Sequence, residues 1–240
     1  MEQYINKIIN ADCMDILKRL PDKCIDLVLT DPPYGIGASS KNFLRQGKQT
    51  GKSKCVSGIN YKSSNWDNNI PDKQIFNEMK RVSKNQIIFG GNYFVDFLDN
   101  SSCWLVWDKL TGDNLYADCE LAYTSFKSAV RKYTYLWKGM LQEDMKNKDI
   151  RIHPTQKPLR LFEMILRDYS NENYLILDCF SGSGTTAVAC HNLKRRFICI
   201  EKDYDYWKAS VERLQNAQSQ LNLFNQPEPP KQEIEQGKLF

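Results

Sequence analysis

Residues 175–201 leave few architectures open to this chain. Leu175-Ile-Leu-Asp178 is an apolar run of strand length, and Cys179 to Thr186 follows it as a glycine-rich turn. Thr185 to Leu193 reads as the helix this turn opens, and Arg196 to Ile200 as a second strand ending at Glu201. Upstream, Leu159, Phe162, Ile165, Leu166 and Tyr169 share one helical face, with Pro158 suited to the first turn. Helix, strand, glycine turn, helix, strand and acid make one half of a doubly wound α/β sheet. Such sheets bind ligands outside the carboxyl ends of their strands. Gly182 and Gly184 let a ligand approach the backbone, and Glu201 stands where a Rossmann-like unit grips ribose hydroxyls. A nucleoside-bearing cofactor is implied.

A second strand end carries different chemistry. Ile25-Asp-Leu-Val-Leu-Thr30 runs into Asp31-Pro32-Pro33-Tyr34. An ionised Asp31 is acceptor-only. Pro32 has no N–H, so it offers only a carbonyl, and Pro33 holds Pro32 extended, which fixes where that carbonyl points. Tyr34 adds an aromatic face. Two aimed acceptors beside an aromatic plate suit a planar ring bearing an exocyclic NH2. The plainer reading of these four residues is a proline-rich turn.

The remaining segments read as follows. Tyr4 to Ile9 is a short strand, residues 14–20 a helix, and Ile75, Phe76, Met79 and Val82 the face of another helix. Gln86 to Phe89, residues 103–107 and residues 119–124 are strands. Tyr133 to Trp137 pairs as an antiparallel hairpin with one of the last two. Residues 203–221 form a helix with Trp207, Val211, Leu214 and Leu221 on one side. One domain over 1–221 and a flexible tail over 222–240 follow, the tail opening with an extended stretch at Pro227, Pro229 and Pro230.

Composition bears on what such a sheet can bind. With 240 residues, 41% of them hydrophobic, the chain affords a sizeable core, and its net charge of +4 permits a polyanionic partner without requiring one. No apolar run is long enough to span a bilayer and the N-terminus lacks a secretory core, so a cytoplasmic protein is expected. Eight cysteines form no C-x-x-C pair and only two histidines are present; buried thiols and no metal are the expectation. Six basic residues and no acidic one fall between positions 41 and 62: Lys41, Arg45, Lys48, Lys52, Lys54 and Lys62. In a loop over 35–70 beside the Asp31 strand end they suit a phosphate backbone; the alternative is a solvated loop.

Gly182-x-Gly184-x-x-Ala187 also fits a dinucleotide fingerprint, which would make the chain a nicotinamide-dependent oxidoreductase. That leaves Asp31–Tyr34 without a role and too little chain for a catalytic domain. S-adenosylmethionine fits better, because its activated methyl needs no metal.

Taken together, Asp31–Tyr34 followed by Phe180-Ser-Gly-Ser-Gly184 resembles the β class of DNA amino-methyltransferases. There the catalytic motif precedes the cofactor motif, a circular permutation of the common methyltransferase order. The resemblance covers most of residues 5–215. It implies a Rossmann-like methyltransferase fold with a mostly parallel sheet and an antiparallel hairpin. It implies S-adenosylmethionine as donor, S-adenosylhomocysteine as product and double-stranded DNA as partner, with the target base flipped out. Asp31, Pro32, Pro33 and Tyr34 would be catalytic. Asp12, within Asn10-Ala-Asp-Cys-Met-Asp-Ile-Leu17, would bond the cofactor adenine. The segment His153-Pro-Thr-Gln-Lys-Pro158 would help enclose the methionine part, through His153, Thr155, Gln156 and Lys157. Asp178, Phe180, Ser181, Gly182, Gly184, Thr185 and Thr186 would line the turn, and Glu201 with Lys202 the ribose side.

Asp rather than Ser at position 31 points to adenine N6; cytosine N4 is the alternative within the class, and a catalytically silent subunit the alternative outside it. Many relatives carry a large recognition insert, for which this chain has only the loops 35–70 and 110–152, so a short recognition site is expected. A homodimer and a bacterial or phage-encoded, nucleoid-associated setting are compatible with the resemblance, with or without a partner restriction enzyme. Gln220-Leu-Asn-Leu-Phe224 and Gln236-Gly-Lys-Leu-Phe240 resemble peptides that dock on bacterial sliding clamps, against the alternative of a packed helix end and a chance repeat.

Overall fold

The computed structural model describes residues 1–37, 67–111, 117–138, 141–146 and 148–224. In chain order the strands are β1 (Lys7–Asn10), β2 (Ile25–Thr30), β3 (Ser83–Phe89), β4 (Trp104–Asp108), β5 (Cys119–Thr124), β6 (Arg131–Thr134), β7 (Trp137–Lys138), β8 (Leu141–Gln142), β9 (Leu175–Asp178) and β10 (Arg196–Glu201). The helices are α1 (Cys13–Leu17), α2 (Lys73–Val82), α3 (Leu159–Tyr169), α4 (Thr185–Asn192) and α5 (Tyr204–Phe224).

Eight strands form one sheet in the order β1-β10-β9-β2-β3-β5-β4-β6, and β7 and β8 form a separate small hairpin. The pairs β1–β10, β10–β9, β9–β2 and β2–β3 are parallel; β5 is antiparallel to both β3 and β4. The sheet is therefore the expected mostly parallel one with an antiparallel hairpin. From β9 the chain proceeds outward through β10, and from β2 it proceeds the other way through β3. The β9–β2 boundary is thus a topological switch point, where the strand ends splay apart and a ligand crevice opens.

Both faces of the sheet are covered, as parallel strands require. Along β10, Phe197 and Cys199 join one apolar cluster and Ile198 and Ile200 the other. Helices α3, α4 and α5 cover the first face, α1 and α2 the second. In α3 the side chains of Leu161, Phe162, Ile165 and Leu166 are buried, each worth about 2 kcal/mol of removed apolar surface. Asp12 caps α1 by accepting from the Met14 amide at 3.0 Å, and Asp72 caps α2 by accepting from Gln74 at 2.7 Å.

Some sequence expectations need correction. Tyr133 to Trp137 does not pair antiparallel with β4 or β5: β6 pairs parallel to β4, and Trp137 belongs to the small β7–β8 hairpin. β6 takes the edge of β4 away from β5, which the chain reaches by a crossover rather than a tight turn. The hairpin is β4–β5 instead. Tyr4 belongs to a short 3-10 helix, Glu2–Tyr4, and the first strand begins at Lys7. Pro158 is the N-cap of α3 and not its first helical residue. Residues 110–152 are not one loop: they hold β5 to β8. The last helix runs on to Phe224, past the expected domain end at 221.

Candidate active site

The two motif-bearing strand ends lie side by side at the switch point. β2 delivers Asp31, Pro32, Pro33 and Tyr34; β9 delivers the turn from Asp178 to Thr186. Thr30 donates its hydroxyl to Asp178 Oδ1 at 2.7 Å, joining them.

The acceptor loop is pinned from below. The amides of Tyr34 and Gly35 both donate to Asp67 Oδ1, at 2.8 and 3.0 Å. The Tyr34 ring lies on Tyr93, centroids 4.8 Å apart and planes 14° from parallel, with Phe94 edge-on at 6.1 Å. Gly90 makes this possible: it is left-handed at φ +67°, and a Cβ there would stand 2.1 Å from the Tyr34 ring. Asp31 Oδ1 accepts from the Tyr34 hydroxyl at 2.6 Å. Its side chain keeps 19% exposure, which leaves a route from solvent to the carboxylate.

Glu120 and Lys109, which the sequence reading did not select, complete this half together with Lys157. Lys157 Nζ lies 2.5 Å from Asp31 Oδ2 and 3.1 Å from Glu120 Oε2. Glu120 Oε1 is held in turn by Lys109 Nζ at 2.6 Å. Glu120 stands on β5 and Lys109 just beyond β4, so the hairpin forms one wall of the site. Burial pushes the Asp31 carboxyl upward more than Lys157 pulls it down. Burial also works against Glu120, but Lys157 and Lys109 together outweigh it and hold that carboxyl below its ordinary value. Burial lowers Lys157, and Asp31 and Glu120 more than reverse this, so its ammonium is firmly charged.

The other half is a backbone cradle. Glu201 Oε2 accepts the Gly182 amide at 2.8 Å and Oε1 the Asp203 amide at 2.8 Å. Gly184 is left-handed at φ +72° and caps α4, with Ser210 Cβ 3.0 Å from where its own Cβ would be. Asp12 and Lys202 meet at 2.9 Å beside it, since β1 and β10 pair at Asn10 and Glu201. The His153 ring packs on Gly182 and against Tyr206, and accepts the Thr155 amide on Nδ1 at 3.3 Å. Burial, then Lys157, pulls that imidazole down to about 3, so it is neutral.

The expected cofactor residues therefore divide. Asp12, His153, Ser181, Gly182, Glu201 and Lys202 converge on one cradle. Phe180 packs partly buried beneath it. Gln156 instead turns into its own loop, accepting from Ile152 and donating to Ile150. Asp178 is a buried anchor for Thr30, Phe180 and Thr186. Thr185 faces the Lys157 carbonyl and Arg213. Lys157 sends its ammonium to Asp31, away from the cradle. Lys41, Arg45, Lys48, Lys52, Lys54 and Lys62 lie outside the described residues, as does the motif at 236–240.

One buried polar atom speaks for a ligand here. Apart from the Cys199 sulfur, a weak acceptor, Ser181 Oγ has no hydrogen-bond partner among the described residues. A hydroxyl of that kind in a glycine turn, opposite an acid at the next strand end, fits the polar amino-acid and ribose groups of a nucleoside cofactor.

Residues 113–212 match the family model for DNA methylases. The Type II methyltransferase M.HinfI of Haemophilus influenzae is 25% identical over 96% of this chain and 75% of its own. Over residues 113–212 the chain is similar to DNA methylases of the adenine-N6/cytosine-N4 type. Two solved structures share this fold. The M1.HpyAVI–SAM complex is 24% identical, with a TM-score of 0.53 over 87% of this chain and 99% of that one. PvuII DNA methyltransferase, cytosine-N4-specific, is 14% identical, with a TM-score of 0.57 over 90% of this chain and 92% of that one. Among the described residues, no helix is long and apolar enough to cross a membrane, and no cluster of three or more metal-ligating side chains occurs.

Proposed function

We propose that this chain is a DNA methyltransferase that transfers a methyl group from S-adenosylmethionine to N6 of adenine in duplex DNA, with Asp31 as the acceptor that selects and orients the amine. The observation that carries this reading is a carboxylate, rather than a hydroxyl, at the end of β2, hydrogen-bonded to Tyr34 and open to solvent on one side.

The exocyclic amine of adenine is a poor nucleophile, because its lone pair is delocalised into the ring. Asp31 and the Pro32 carbonyl accept its two hydrogens, so the nitrogen pyramidalises and its lone pair points toward the glycine turn. Tyr34 supports the flipped base by stacking. Asp12 and Glu201 hold the adenine and ribose hydroxyls of the donor, and the neutral His153 closes the methionine side over Gly182. Bound S-adenosylmethionine supplies an activated methyl on sulfur. As the N–C bond forms and the C–S bond breaks, the electron pair stays on sulfur, and the nitrogen sheds one proton toward Asp31 and then to water. Positioning and fixed charge account for most of the rate.

The basic residues from Lys41 to Lys62 serve the DNA backbone in this reading, and the connections within 110–152 read a short sequence. A place in a restriction-modification pair agrees with the Type II designation of the M.HinfI relative. Docking of the C-terminal Gln-x-x-Leu-Phe peptides on a sliding clamp and dimerisation are further proposals, tested by pull-down with purified clamp and by light scattering.

Expression in a methylation-deficient bacterial host, followed by mass spectrometry of the DNA nucleosides, tests the main reading. N6-methyladenine that disappears with Asp31→Ala is the expected result. N4-methylcytosine would keep the mechanism and change the base, an outcome the fold shared with the cytosine-N4-specific PvuII enzyme makes worth measuring.

A further inference from the structure

Both oxygens of Asp31 already accept a hydrogen bond: Oδ1 from the Tyr34 hydroxyl at 2.6 Å and Oδ2 from Lys157 at 2.5 Å. Each oxygen keeps a second lone pair, but an ammonium on Oδ2 draws off the charge that makes the carboxylate a strong acceptor for an incoming amine, and an ammonium of this burial cannot be left unpaired. The structure holds a second place for it. Lys157 Nζ is also 3.1 Å from Glu120 Oε2, and Glu120 is itself braced by Lys109 at 2.6 Å. The Lys157 side chain is 6% exposed, so water does not substitute for either carboxylate.

We propose that Lys157 is a transferable counter-ion and Glu120 its parking seat: Lys157 caps Asp31 until a target amine arrives, then shifts to Glu120 and frees Oδ2. This inference rests on the reading of Asp31 as the amine acceptor. Lys157 and Glu120 are then positioning residues, acting on the reaction through Asp31. The displacement is on the order of 1 Å and keeps one ammonium between two carboxylates throughout, so little charge is stranded. Lys109 keeps Glu120 ionised and in place while Lys157 is away from it.

The backbone of Lys157 strengthens the assignment. Its carbonyl accepts from Thr185 Oγ1 at 3.3 Å, at the start of the helix that follows the glycine turn. One residue therefore touches the cofactor half through its backbone and the acceptor half through its amine.

The groups facing Asp31 set the expected pH behaviour. From its own loop comes Tyr34, from β5 Glu120, from the segment before α3 Lys157, and from β9 Asp178. Lys109 and Tyr93 act at one remove, on Glu120 and Tyr34. Removing the Lys157 ammonium leaves Asp31 and Glu120 as like charges around one hydroxyl, so Asp31 holds its proton to higher pH. Removing the Glu120 charge has the opposite sign.

The experiment compares wild type, Lys157→Met, Glu120→Gln and the double variant. Single-turnover methylation of genomic DNA from a methylation-deficient host is followed from about pH 5 to 9. The 13C signal of the Asp31 carboxyl is titrated in parallel. Lys157→Met should move the acid limb and the Asp31 titration up by at least about one pH unit, and adding Glu120→Gln should bring both back toward wild type. Glu120→Gln alone keeps the shape of the site and serves if Lys157→Met does not fold. It should move both down, while slowing transfer roughly tenfold because Lys157 then has only Asp31 to hold. Rates that fall evenly at every pH, with an unmoved Asp31 titration, would overturn the assignment and leave Lys157 as packing. An Asp31 titration that shifts as expected in a protein making no methylated base would uphold the charge relation and refute the functional reading instead.

Discussion

Thr30 donates its hydroxyl to Asp178 at 2.7 Å, across the boundary between the strand that carries the acceptor loop and the strand that carries the glycine turn. The same carboxylate takes the Phe180 amide at 3.0 Å and the Thr186 hydroxyl. Three donors, from a strand, the glycine turn and a helix, converge on one buried side chain, and burial still lifts it to about 6.

A pH dependence of stability follows. The native value lies above the ordinary 3.8, so the folded protein binds this proton more tightly than the unfolded chain does. The contribution is full below about pH 4 and is lost as pH rises through about 6. Asp178→Asn carries no such charge. Its stability relative to wild type should rise between about pH 4 and 7, by on the order of 3 kcal/mol. Thermal unfolding at both ends of that range measures it; a difference in Tm that is the same at each would show that Asp178 does not titrate there.

Asp31→Ala should leave cofactor affinity within about threefold of wild type and cut methyl transfer by at least ~100-fold. The glycine turn and Glu201 do not touch Asp31, whereas the amine would lose its aimed acceptor. Calorimetric titration with S-adenosylmethionine, beside a single-turnover assay, separates the two, and normal turnover by the variant would remove Asp31 from the role.

Gly90→Ala places a methyl 2.1 Å from the Tyr34 ring at a residue whose φ is +67°. Either the ring or the backbone must move, at a cost of about 1–3 kcal/mol. Tyr34 is the part with somewhere to go, so transfer should fall further than stability does. Chemical denaturation and turnover measured on one preparation test this; unchanged turnover would mean that the stack on Tyr93 is not needed for the base.

Glu201→Gln retains an acceptor for one of the two amides it now serves and turns an NH2 toward the other. The expected loss in S-adenosylmethionine affinity is about 10- to 100-fold, with little change in the single-turnover rate at saturation. A variant that binds as tightly as wild type would place the ribose elsewhere.

Much of this architecture is legible in the sequence because it is local. β2, β5 and β9 begin and end where apolar runs of strand length do, and the glycine turn announces both a strand end and a helix start. The partner of β6 is not local information: Arg131–Thr134 has the composition of an edge strand, and only the packed sheet decides that it runs parallel to β4. The site divides in the same way. Asp31 and Glu201 are marked by their motifs, while Glu120 and Lys109 gain meaning only when the β4–β5 hairpin folds against a lysine from another segment. A lone charged residue near the start of the strand Cys119-Glu-Leu-Ala-Tyr-Thr124 was the available signal. Lys157 belongs to a segment that suggests cofactor contact, and its length carries its amine across the crevice to the other half.

The strand order also has a consequence for how the chain comes to be folded. β2 is made early, yet its neighbour β9 lies about 145 residues further along the chain. At ~5–20 residues per second of synthesis, β2 waits roughly 10–30 s for that partner. During this interval it has one unpaired edge, and its apolar residues are open to other chains. The crevice at the β2–β9 boundary can therefore form only once β9 has been made, and the nascent segment that carries Asp31–Tyr34 is the part most in need of a chaperone until then.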